Sequence, residues 1–335
     1  MLSEEPLNAE TKLDERTGTI TPAGRHYVRT HFPLPQGPDR FAVGGAVSRP
    51  ISIAVEQIRA LPRRTIAVTL ECAGNGRRFL DPRVPGEQWG LGAVGTAEWT
   101  GTPLRTVLER AAPEPKAIEV LFRGADEGVP KDLGKQIAYE RSLPLAEALS
   151  DDVLVAYLMN GEPIPPEHGG PLRLVVPGWY GMASVKWLSR IVLLERPFVG
   201  FYQTDRYVID REPLRHIAPR AILTHPGNGT VHERSVWITG FAWSGSAPVA
   251  RVEMSTDGGQ SWVELPDVML EDSPRYAWRR FQFENLLTKG LGAQQWSLVL
   301  RATDALGNTQ PSEARWNALG YANNAPRAVR VEVRS

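Results

Sequence analysis

Cysteine occurs once in 335 residues, at Cys72. A single thiol excludes an internal disulfide and any thiolate-rich zinc or iron–sulfur centre. Net charge is missing too. The 38 lysines and arginines balance 38 acidic residues, so no global field draws the chain to nucleic acid or to an anionic membrane. No uninterrupted apolar run approaches the roughly 18 residues that span a bilayer. Residues 1–14 are polar and acidic, without a basic, apolar or twin-arginine signal, so the expected location is the cytoplasm. No phosphate loop or dinucleotide-binding strand–loop–helix is read from the chain, and no helical His-x-x-x-His pair offers a metal site.

The apolar content, 42 %, is ample for packed cores. The length favours two domains, because single cores stop growing at roughly 250–300 residues. The most informative stretch is Thr65-Ile66-Ala67-Val68-Thr69-Leu70-Glu71-Cys72-Ala73-Gly74-Asn75-Gly76-Arg77-Arg78. Its β-branched run predicts a buried strand that delivers the thiol into a glycine-rich turn. Nearby guanidinium groups and exposed turn amides would bias that thiol toward thiolate, able to attack, to be oxidised or to bind a soft metal. The bland alternative is a small buried hydrophobe, but such a residue has no need of Gly74, Gly76 or paired arginines.

Residues 1–26 read as irregular, and 27–32 as a short strand with Arg29 and His31 on one side. Further strands are expected at 41–47, 52–55, 118–122, 139–143, 153–159, 172–176, 184–188 and 191–194, and helices at 56–61, 103–112 and 145–149. Residues 79–101, carrying Trp89 and Trp99, read as a long functional loop, and 123–128 as a shorter one. Without a βαβ rhythm, residues 1–215 are classed as α+β. Residues 216–335 change texture. Alternating segments at 231–241, 249–255, 261–265, 276–283, 296–304 and 327–333 predict an immunoglobulin-like sandwich.

Four groups could converge in the first region: Arg29 with His31, Cys72 with Arg77 and Arg78, His168 with Arg173, and Lys186. Each sits at a strand end or in a glycine-rich loop, where sites are usually built. Together they suggest an anionic ligand, since guanidinium forks match phosphate and sulfur oxyanions. His31 and His168 are candidate metal ligands, and a Cys72/His nucleophile pair is a further alternative.

Taken together these residues resemble the sulfite oxidase family of molybdenum enzymes. The likeness runs through Pro6-Leu7-Asn8-Ala9-Glu10, residues 27–31, Cys72-Ala73-Gly74-Asn75-Gly76-Arg77 and Trp89-Gly90-Leu91-Gly92-Ala93 with Trp99. It continues through His168-Gly169-Gly170-Pro171-Leu172-Arg173, Ser184-Val185-Lys186-Trp187, Asp257-Gly258-Gly259-Gln260-Ser261-Trp262 and Trp316-Asn317. The resemblance implies a mixed α/β molybdopterin domain over 1–215 and an immunoglobulin-like dimerisation domain over 216–335. It implies molybdenum held by the Cys72 thiolate and by one molybdopterin. Tyr27, Val28, Arg29, Thr30, His31, Asp126, His168, Arg173, Ser184, Val185 and Lys186 would hold the pterin and its phosphate. Arg29, Arg77, Trp89 and Tyr207 would line the substrate pocket, with Tyr202 a competing tyrosine. The implied reaction is oxidation of sulfite to sulfate by oxygen-atom transfer in a homodimer.

Two features bear on this expectation. Animal members place an anion-binding arginine where Leu319 stands here. The sequence also shows no haem module before the first region and no flavin domain after the second, so electrons are expected to pass to oxygen or an external carrier. Alternatives are a nitrate or S-/N-oxide reductase with the same cofactor, and a degenerate, cofactor-free binding protein.

Overall fold

A computed structural model describes every residue except 15, 234, 267–268, 287–293 and 335. The first half is built on two sheets. One runs in the order Glu162–Pro163, Leu154–Met159, Val94–Pro103, Arg64–Glu71, with Arg173–Val175 also paired to Leu154–Met159, and every pairing is antiparallel. The other runs Ile51–Ala54, Arg40–Gly45, Leu188–Leu194, Glu119–Gly128, Ile137–Pro144, with one parallel pairing, between Leu188–Leu194 and Arg40–Gly45.

Helices are few and short. Leu104–Ala111 buries Leu104, Val107, Leu108 and Ala111, the i, i+3, i+4, i+7 stripe of a helix lying on a core. Each fully buried leucine or valine there stabilises the fold by about 1.5–3 kcal/mol.

The second half is a sandwich of a three-stranded sheet (Arg220–His225, Ser235–Trp243, Arg279–Leu286) and a five-stranded one. The latter is ordered Thr230–Glu233, Val329–Arg334, Gln294–Asp304, Val249–Ser255, Val263–Glu264. Alternation places Val236 and Ile238 in the core while Trp237 between them stays half-exposed. The α+β region and the sandwich agree with expectation.

Three details differ. Residues 94–101 are not loop: Val94–Pro103 is the central strand beside Arg64–Glu71. Gly95 and Gly101, which fall in the stretch read as loop, are close approaches, because a Cβ would meet the His26 ring at 2.7 Å and the Val155 carbonyl at 2.4 Å. Residues 123–128 likewise continue a strand, Glu119–Gly128, through a register shift. The strand expected at 184–188 begins only at Leu188, and Trp187 is left-handed at φ 47°. The spacing Gly90-x-Gly92-x-x-Gly95 leads into a strand rather than a helix, so it lacks the geometry of a dinucleotide turn.

The two halves pack tightly. The free edge of Arg64–Glu71 is covered by the sandwich: Thr69 N–H donates to the Tyr276 carbonyl at 2.8 Å, and Trp278 N–H donates to Thr69 Oγ1 at 2.7 Å. No helix among the described residues is long and apolar enough to cross a membrane.

Candidate molybdopterin and oxyanion site

Cys72 follows the last residue of Arg64–Glu71, and its N–H donates to the Ala93 carbonyl at 2.8 Å. The following turn closes with Asn75 N–H on the Cys72 carbonyl at 2.9 Å, and Gly76 takes φ 84°, a backbone state suited to glycine. The thiol itself is buried. Burial pushes it up, against the pull of Arg29, Arg77 and the Gly74 amide. This corrects the expectation of a thiolate-biased group: the turn is enclosed rather than exposed, and desolvation outweighs the arginines.

Cys72 opens onto a cavity whose wall carries Arg29, His31, Asp126, Arg173, Lys186 and Tyr207. Strand Val28–Arg29 contributes Arg29, which spends Nη1 on Asn8 Oδ1 and on the Thr30 carbonyl. Its Nε and Nη2 make no hydrogen bond to a described residue. His31 Nε2 lies 2.7 Å from Tyr207 Oη, and its ring stacks on Tyr139 at 4.9 Å. Burial, with Arg29 and Lys186 nearby, holds His31 well below its ordinary value, and burial holds Tyr207 well above its own. Both groups are therefore neutral. Tyr207 is itself left-handed, at φ 58°, and stacks on Tyr321. Tyr202 packs behind His31, with ring centroids 4.7 Å apart, so of the two tyrosines it is Tyr207 that reaches the cavity.

The far wall is cationic. Arg173 donates to the carbonyls of His168 and Ser184 at 2.8 and 3.0 Å and lies over the Trp99 ring, and burial pulls it down to about 10. Lys186 Nζ donates to the Glu167 carbonyl at 2.9 Å, and burial together with Arg173 draws it well down. Asp126 is 4 % exposed, has no partner at Oδ1 among the described residues and is pushed by burial up to about 6. His168 Nε2 contacts the Ala23 carbonyl at 2.9 Å, while Ser184 Oγ accepts from Val176 N–H at 3.0 Å.

Several expected residues lie off this wall. Arg77 is folded back over its own turn, where Cβ atoms on Gly74, Gly86 and Gly320 would each lie within 3.0 Å of it. It donates to the Leu319 carbonyl from Nε and Nη2, at 3.3 and 3.1 Å, and to the Glu87 carbonyl from Nη1 at 2.9 Å. Trp89 is fully buried in the same cluster as Cys72, with no partner for Nε1 among the described residues, and does not line the cavity. Thr30 turns its hydroxyl to the Leu7 carbonyl, and Val185 is fully buried in the core. The family resemblance put Arg77 and Trp89 at the substrate, but packing turns both behind the thiol.

Sequence reasoning missed His26 and Tyr139, which line the cavity. Burial pushes His26 down to about 4, and its ring meets His168 edge to face at 5.4 Å. Its only signal was its position beside Tyr27.

Residues 31–202 match the family described as "Oxidoreductase molybdopterin binding domain", and residues 219–334 the one described as "Mo-co oxidoreductase dimerisation domain". The chain belongs to the sulfite oxidase family of molybdopterin oxidoreductases. It is 35 % identical to rat mitochondrial sulfite oxidase, over 99 % of this chain and 65 % of that one. It is 31 % identical to tomato NADH nitrate reductase, over 99 % of this chain and 41 % of that one. It therefore spans just under two-thirds of the first relative and less than half of the second. Among solved structures it is similar to the sulfane dehydrogenase SoxCD of Paracoccus pantotrophus, with TM-score 0.82 and 27 % identity over 98 % of this chain and 85 % of that one.

Molybdenum and molybdopterin are the cofactors of this sulfite oxidase family member, and the cavity suits them on its own chemistry. It offers a lone thiol, three cations whose excess calls for an anionic ligand, and a buried carboxyl oxygen, without a partner among the described residues, able to accept from a pterin amine.

Proposed function

We propose that this enzyme oxidises sulfite to sulfate. The observation that carries the reading is Arg29: it lines the cavity that Cys72 enters, its Nε and Nη2 are uncommitted, and the neutral His31–Tyr207 pair stands beside it. A guanidinium fork with free donors in a pocket fits a small oxyanion. Similarity to a sulfite oxidase and to a sulfane dehydrogenase supports a sulfur substrate.

In this reading Cys72 is the metal's protein ligand. Arg29, Asp126, His168, Arg173 and Lys186 hold the pterin and its phosphate, aided by the backbone of Tyr27, Val28, Thr30, His31, Ser184 and Val185. When bound, the cofactor supplies two-electron oxygen-atom transfer. The chain's own residues do the rest. Arg29 binds and orients the oxyanion at the metal side of the cavity. The Tyr207 hydroxyl and His31 imidazole, sharing one hydrogen bond, fix the polar side of the pocket. Tyr139 and Tyr202 exclude water behind them. Overall, sulfite and water yield sulfate, two protons and two electrons, which an external acceptor takes. The catalytic unit is assigned to residues 1–215 and a homodimer contact to 216–335, the latter measurable by light scattering.

The test is anaerobic mixing of the molybdenum-loaded protein with sulfite. Bleaching of the oxidised thiolate-to-metal absorption, with one sulfate formed per centre, is the expected result. A centre that sulfite leaves oxidised but that nitrate reoxidises after chemical reduction would replace this reading with the nitrate-reducing one that the tomato relative's name makes the main competitor.

A further inference from the structure

The turn that carries Cys72 is short of side chains with which to hold itself, and its buried carbonyls need partners. The sandwich supplies them. Ala322 N–H donates to the Ala73 carbonyl at 2.8 Å, Arg220 Nη2 to the Asn75 carbonyl at 3.4 Å, and Asn323 Nδ2 to the Gly76 carbonyl at 2.8 Å. Just ahead of the thiol, Glu71 is 1 % exposed, and its Oε1 lies 3.0 Å from Nε of the equally buried Arg220. That contact is ionic, without hydrogen-bond alignment. Glu71 Oε1 also accepts from Asn75 Nδ2 at 2.9 Å, and its Oε2 accepts from Trp243 Nε1 at 2.8 Å. Arg220 returns a bond to the Asn323 carbonyl. The network thus joins Glu71 and Asn75 on one side of the domain boundary to Arg220, Trp243 and Asn323 on the other.

A buried ion pair is weak evidence of stability, because desolvation offsets its attraction, but it can specify one arrangement. A metal ligand needs such specification, to within about 0.5 Å. We propose that Glu71, Arg220 and Asn323 are positioning residues through which the sandwich templates the Cys72 loop, so that the second domain is part of the cofactor site of its own chain. The proposal rests on Cys72 being the metal's ligand and is independent of which oxyanion is oxidised.

Because Cys72 is the only cysteine, thiol labelling of the cofactor-free protein reads this loop alone. N323A removes no charge and two bonds, the one to the Gly76 carbonyl and a long 3.4 Å one from Ala325 N–H to Asn323 Oδ1, and should raise the labelling rate at least tenfold with far-UV circular dichroism unchanged. E71Q/R220M, which deletes both charges together, should do the same, while R220K should fall between the wild type and that double variant. R301M, which breaks the Glu253–Arg301 pair elsewhere in the sandwich, should leave the rate unchanged. In loaded N323A the paramagnetic spectrum of the half-reduced metal should shift. A labelling rate in N323A within twofold of the wild type, or an equal rise in R301M, would overturn the proposal. If E71Q/R220M does not fold, N323A decides alone.

Discussion

His31 and Tyr207 meet through a 2.7 Å hydrogen bond across 176 positions of sequence, and burial keeps both uncharged. Y207F removes the hydroxyl and leaves a buried imidazole nitrogen without its partner, a loss of about 1–3 kcal/mol. If the pair shapes the oxyanion pocket, kcat/KM for sulfite falls about tenfold to hundredfold while molybdenum content is unchanged. Steady-state kinetics beside metal analysis separates this from a failure to load cofactor.

Arg29 and Arg77 are both near the thiol, but they do different things. Arg29 keeps donors for a ligand, whereas Arg77 has all three nitrogens on carbonyls and lies 5.2 Å over the Tyr321 ring. R29Q should raise KM for sulfite about a hundredfold with little loss of thermal stability. R77K cannot reproduce the planar fork and leaves buried carbonyls short of donors, so it should lower stability by about 1–3 kcal/mol and move KM less than R29Q does. The reverse ranking would return Arg77 to the oxyanion.

Much of this site was legible because its segments pair residue type with chain geometry. The β-branched run into Cys72 and the His168–Arg173 stretch each announced a strand end carrying polar groups, whereas Lys186 was read into a strand that begins only at Leu188. Illegible was anything decided by what a glycine faces. Gly95 and Gly101 read as loop, yet each marks where the His26 ring or the Val155 backbone closes on a strand. The fate of Arg77 was hidden for the same reason, since its slot is made by Gly74, Gly86 and Gly320, the last of them about 240 residues away along the chain. The network around Glu71 could not be read locally either, because Arg220, Trp243 and Asn323 are set against it only by domain packing.

Cys72→Ser tests the ligand itself. An alkoxide is a poor replacement for a soft thiolate, and the described residues contain no cluster of three or more metal-binding side chains to compensate. Metal analysis should find molybdenum reduced at least tenfold per chain, with the fold retained by circular dichroism. Full loading in the serine variant would remove Cys72 from the metal.

The cavity wall also predicts how the cofactor-free protein responds to acid. His26, His31 and His168 are all held below their ordinary value near 6.5, chiefly by burial. Once pH falls below about 6.5, the unfolded chain binds protons at these three positions that the folded chain refuses, so stability drops as pH drops. Lys186, drawn down by burial, acts in the same direction at higher pH. Asp126 opposes them. Its carboxyl, pushed up to about 6 from an ordinary 3.8, protonates first in the folded state and adds stability as pH falls through that window. Three histidines against one carboxyl leave an excess of two protons taken up on unfolding, a slope of up to about 3 kcal/mol per pH unit. The urea midpoint of the cofactor-free protein should therefore fall between pH 7 and pH 5, and H26Q should make that fall shallower. A midpoint that stays flat across this range would mean that the three imidazoles are not buried in the neutral form.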